Sequence, residues 1–125
     1  MSRERRKSPR VAERLSIALT HEAAVLEAET SNLSTSGAYC TIDRFIAPMT
    51  KLQLQFEVPN HSRRVRIRCQ GVVVRSEPVV MNPTKGRYAV AIYFTELTER
   101  DRTAIAQFVS HRLSLNPSPP PSTSR

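Results

Sequence analysis

At 125 residues, with 39% hydrophobic and 24% charged side chains, the chain has the length of one domain and the composition of a globular one. No apolar run approaches the roughly 18 residues that span a bilayer, and MSRERRKSPR has no apolar stretch behind its charges, so neither membrane insertion nor a secretory leader is expected; a cytoplasmic protein is. Six basic and two acidic residues fall within the first fourteen, half of the net excess of +8, which points to an anionic partner or to a solubilising arm.

After this basic arm over residues 1–14, the patterning predicts strands. RLSIALT places Leu15, Ile17 and Leu19 on one side, and AVLEAETS gives a weaker second strand. GAYCTID follows a polar turn as a third. KLQLQFEV alternates most clearly, with Leu52, Leu54, Phe56 and Val58 opposed to Gln53, Gln55 and Glu57. RVRIRCQGVVVRSEP continues the alternation until Gly71, where a bulge or sharp bend is expected. MNPTKG reads as a turn and YAVAIYF as the sixth strand. Thr98 and Asp101 resemble a capping box for a closing helix, with Ile105, Phe108, Val109 and Arg112/Leu113 as its inward stripe. Residues 116–125, rich in proline and serine, read as a disordered tail. Six short strands and one helix predict a mainly β fold: a small antiparallel barrel over 15–115, closed at an end or side by the helix.

Reactive constellations are absent. Asp43 and Asp101, the two aspartates, have no His or Ser in a recognisable arrangement, and neither a nucleophile elbow nor a glycine-rich phosphate loop occurs, so an enzyme is not expected. Cys40 and Cys69 read as reduced core residues, although a disulfide is conceivable; with His21, His61 and His111 scattered, no zinc site or other cofactor is expected.

Two polar motifs remain. Arg6 and Arg10 form RxxxR, which Pro9 keeps extended or turned, so the two guanidinium groups can reach ~13–14 Å apart. Arginine's planar fork suits phosphate or the O6/N7 edge of guanine. The second motif, NxSxxG, runs from Asn32 through Ser34 to Gly37 between the second and third strands. It reads as a turn in which Gly37 takes a positive φ, or as a surface for a base edge on the same chemistry. In this order the pair resembles the signature of the PilZ family, whose members bind the bacterial second messenger cyclic di-GMP. GVVVRSEP and GRYAVAIYFTELTERDRTAIAQFV are similar to that family's fifth-strand region and closing strand and helix, so the resemblance covers roughly Arg5 to Leu113.

The resemblance implies a six-stranded PilZ-type barrel with its arginine arm folding over the outer wall onto the ligand. It implies that Arg6 and Arg10 grip guanine edges and phosphates, that Asn32 and Ser34 contact the ligand, and that Gly37 supplies the bend. Asn32 stands where the family often has Asp. Arg5 is a candidate third arginine, able to hold an intercalated dimer of cyclic di-GMP, and Arg75 stands where the family commonly has a basic residue near the ligand. With no effector domain in view, the output is expected through an unidentified protein partner or through a change in self-association. The alternatives are a degenerate PilZ protein that serves only as a protein-interaction module and a non-specific nucleic-acid-binding basic domain. Scarce aromatic residues make nucleic acid the poorer fit. Arg63, Arg64, Arg66 and Arg68 read as a solvated strand face or as a basic surface for a partner.

Overall fold

The computed structural model describes residues 14–60, 62–79 and 87–115. The expected arm up to residue 13, the turn at 81–86 and the tail over 116–125 lie outside the described residues. Six antiparallel strands form a closed barrel: β1 (Ser16–His21), β2 (Ala24–Leu33), β3 (Gly37–Ile42), β4 (Lys51–Asn60), β5 (Arg63–Pro78) and β6 (Tyr88–Glu96). Their order is β1-β2-β3-β6-β5-β4, and β4 pairs back onto β1 through Ile17↔Phe56 and Leu19↔Leu54. Closure pairs each strand on both sides over part of its length; among the described residues β5 lacks a strand on its β6 side from Arg63 to Cys69.

The period-two pattern accounts for the core. Leu52, Leu54, Phe56 and Val58 point inward from β4 and meet Gly71, Cys69, Ile67 and Val65 of β5 in register. Phe56 and Phe94 stack with ring centroids 6.4 Å apart in the interior. Each such large side chain taken from water contributes about 1.5–3 kcal/mol. Cys40 and Cys69 are buried free thiols. Burial pushes both up to about 12, the Asp101 carboxylate adding to the push at Cys69, so neither supplies a nucleophile near neutral pH.

Three features differ from the sequence expectation. The strands are not uniformly short: β2 and β4 have ten residues and β5 has sixteen, crossing Gly71 without ending. β2 runs on through Asn32 and Leu33, because Leu33 is a core residue and pays for extending the ladder. At the start of α1 (Glu99–Leu115), half of the capping box forms: Thr98 Oγ1 accepts the Asp101 amide proton at 3.1 Å. The Asp101 carboxylate does not reach back to Thr98. It accepts from the Arg68 amide at 3.3 Å and from the Arg100 guanidinium at 3.0 Å. β6 has ended by this point, its pairing with β5 stopping at Gln70↔Glu96. Asp101 thus satisfies a β5 donor that has β4 on one side but no strand on its β6 side, and α1 covers β4 and β5 with Ala104, Ile105, Phe108 and Val109.

Candidate functional site

The β2–β3 hairpin places the NxSxxG motif. The Ser34 amide donates to the Gly37 carbonyl at 3.0 Å, and Ser34 Oγ accepts from the Ser36 amide at 3.0 Å, a serine turn. The Ser36 carbonyl then accepts from the Phe94 amide at 2.9 Å, which seats the turn against β6. Ser34 is buried, and in this arrangement its hydroxyl serves the turn. Gly37 departs from expectation: none of the described glycines has a positive φ. Its demand is steric. A Cβ there would lie 2.1 Å from the Ile92 carbonyl oxygen of the paired strand.

Asn32 lies in β2 rather than in the turn, and a bulge sets its aim. Ala28 and Thr30 face the core, so strict alternation would send Asn32 inward as well. The register with β3 shifts between Thr30 and Asn32, reversing the parity: Leu33 takes the inward place and Asn32 is left half-buried on the wall. β5 does the same. Gly71 and Val73 face inward, a shift falls between Val73 and Arg75, and Val74 and Arg75 both come out exposed. The bulge expected at Gly71 is present too, between Gln70 and Gly71.

These two reversals bring Asn32 and Arg75 to the lining of one depression of about 180 Å³, where the turn places Ser34 and Gly37. Tyr39, Tyr93 and Val74 are among its other lining residues. Tyr93 and Val74 are each more than half exposed, as large apolar surfaces beside polar groups. Sequence reasoning did not single them out, although the alternation of YAVAIYF placed Tyr93 opposite the inward Ile92 and Phe94. The Arg75 guanidinium is 3.9 Å from Glu77, both side chains exposed, so the pair is weak and the cation remains available.

A further contact concerns the chain's entry into the barrel. The Leu15 amide donates to Thr30 Oγ1 at 3.1 Å, and the Thr30 amide donates to the Leu15 carbonyl at 2.9 Å. The first described residues are therefore fastened to β2 two positions before Asn32. Arg5, Arg6 and Arg10 lie outside the described residues. Among the described residues no group of three or more His, Cys, Asp or Glu is placed to hold a metal ion, and no helix is long and apolar enough to cross a membrane.

Comparison with known proteins gives a consistent picture. The family model for the PilZ domain matches residues 4–111. The fold is similar to that of the Bacillus subtilis inhibitor of motility (MotI/DgrA), with a TM-score of 0.79 at 18% identity over 92% of this chain and 54% of that one. It is similar to the PilZ domain of Escherichia coli YcgR with c-di-GMP, with a TM-score of 0.63 at 10% identity over 92% of this chain and all 100% of the other. The K. pneumonia MrkH–c-di-GMP complex matches with a TM-score of 0.66 at 13% identity over 90% and 54% of the two chains. This chain thus spans about half the length of the motility inhibitor and of MrkH. No curated protein matches the sequence.

Proposed function

Because the chain belongs to the PilZ domain family, we propose that it is a receptor for cyclic di-GMP that hands the signal to a downstream protein. The observation that carries this reading is the convergence of Asn32, Ser34, Gly37 and Arg75 on one depression, to which two bulges turn Asn32 and Arg75 and the β2–β3 turn brings Ser34 and Gly37. Two of the similar structures, those of YcgR and MrkH, hold c-di-GMP.

At about 180 Å³ the depression is smaller than the roughly 300–1,000 Å³ of sites that enclose a small molecule, so a second wall is needed. The RxxxR segment supplies it. Arg10 lies five positions before Leu15, an extended reach of roughly 17 Å from the Thr30 tether. Arg6 and Arg10 then close on guanine edges and phosphates from above, while Asn32 meets a guanine edge and Arg75 a phosphate from below. Exposed Tyr93 offers a flat face to a base. Neutralising the arginines orders the arm against the wall, and the ordered arm is the surface a protein partner reads. Arg5 adds a third guanidinium, which suits an intercalated pair of ligand molecules.

Isothermal titration calorimetry tests this directly. Cyclic di-GMP should bind with two molecules per chain, well ahead of cyclic di-AMP and linear GMP. Arg6→Ala and Arg10→Ala should each abolish measurable binding with the thermal melt unchanged. Asn32→Asp should tighten binding about fivefold, since a charged acceptor strengthens the bonds from guanine N1–H and N2–H₂. Wild-type affinity in both arginine variants, or equal displacement by any polyanion, overturns the reading; a stoichiometry of one overturns the paired ligand alone.

A further inference from the structure

A second depression, a groove of about 840 Å³, lies where β1, β4 and β5 meet the start of α1, and it shares no residue with the one around Asn32. Its floor is set by register. Gln55 stands opposite Arg68, and Gln53 stands opposite Gln70. Arg102 enters from the first turns of α1.

The charges along β5 are not equivalent. Arg64 and Arg66 share Glu57, at 3.8 and 3.6 Å, so one carboxylate offsets part of the charge at that end of the row. Among the described residues no carboxylate pairs with Arg68 or Arg102, and Glu96 is the groove's single lining carboxylate. The groove therefore presents two exposed guanidinium groups among three exposed carboxamides. That set selects the chemistry of the occupant. Guanidinium pairs with an anion. Each carboxamide offers an acceptor as well as donors, and an acceptor is satisfied by a peptide N–H but not by a phosphodiester. No lining residue is aromatic, so the groove has no platform on which a nucleic-acid base could stack.

We infer that this groove docks an acidic segment of a partner protein, its carboxylates on Arg68 and Arg102 and its backbone on Gln53, Gln55 and Gln70. The inference stands apart from the ligand reading, and its test uses the full chain without cyclic dinucleotide, so each can fail alone. Arg68 and Arg75 are seven residues apart on β5, about 23 Å along an extended strand, far enough for both sites to be filled together.

The probe is a fluorescein-labelled decaglutamate, followed by anisotropy at low ionic strength, where exposed charges are least screened. Arg68→Gln with Arg102→Gln should weaken binding at least tenfold. Arg63→Gln with Arg87→Gln removes the same charge outside the groove and should change affinity less than twofold. An equal loss in both double variants, or no loss in the first, overturns the inference, as does tighter binding of decathymidylate than of decaglutamate. Amide shift mapping on the wild-type chain gives a readout that needs no variant. Decaglutamate should move Gln53, Arg68, Gln70 and Arg102, and shifts confined to Arg63, Arg64 and Arg66 would place the peptide elsewhere and defeat it.

Discussion

At Gly37 the constraint is contact, not backbone angle. With the Ile92 carbonyl 2.1 Å from where a Cβ would sit, a methyl group must push β3 off β6, and backbone has no rotamer by which to yield. Gly37→Ala should cost at least about 2 kcal/mol in urea unfolding, in the range of overpacked core positions. Thr30 is a different case. Its hydroxyl is buried and takes the Leu15 amide proton just before β1 begins. Thr30→Val removes that acceptor at nearly constant volume and should cost about 1 kcal/mol. If the tether aims the arm, cyclic di-GMP affinity should fall about fivefold as well, and Thr30→Ser should restore both. Lower stability with unchanged affinity would show that the tether serves the fold alone.

Among the elements, α1 and β5 depend on one carboxylate. Asp101 bridges the helix to a strand donor left over where β6 stops, so Asp101→Ala removes the helix anchor and strands the Arg68 amide together. We expect a loss of about 1–3 kcal/mol by chemical denaturation. Thr98→Ala, which deletes only the cap, should lose about 1 kcal/mol. The buried thiols make the sheet sensitive to alkali. In the unfolded chain they ionise around their ordinary 9.0, whereas burial holds them protonated to about 12. Between those values only the unfolded state gives up protons, so this contribution is complete below pH 9 and lost as pH rises toward 12. Other groups titrate nearby, so the check is a difference: the urea midpoint should drop less between pH 8.5 and 10.5 in Cys40→Ala than in wild type.

For the molecule as a whole, a ligand that binds only the folded barrel must stabilise it. Cyclic di-GMP at ~100 times its dissociation constant should add about 2.7 kcal/mol, a rise in Tm of roughly 10 °C for a domain of this size. No rise under those conditions would count against the proposed receptor role. Much of the architecture was legible beforehand. Alternation in KLQLQFEV, the interruption at Gly71 and the Thr98 cap are local signals, because strand period and capping chemistry depend on neighbours along the chain. The outward aim of Asn32 and Arg75 was not legible. It follows from register shifts against β3 and β6, and a bulge is a relation between two strands that neither sequence segment contains. The same holds for Asp101, whose spacing from Thr98 announced a cap while its carboxylate went to β5. By itself, then, the sequence determined which segments become strands, which faces are apolar and where along the chain the polar motifs lie. Only the closed barrel decided which of those polar groups meet, because closure fixes register around the whole ring and a single added residue in one strand turns its later side chains to the other face.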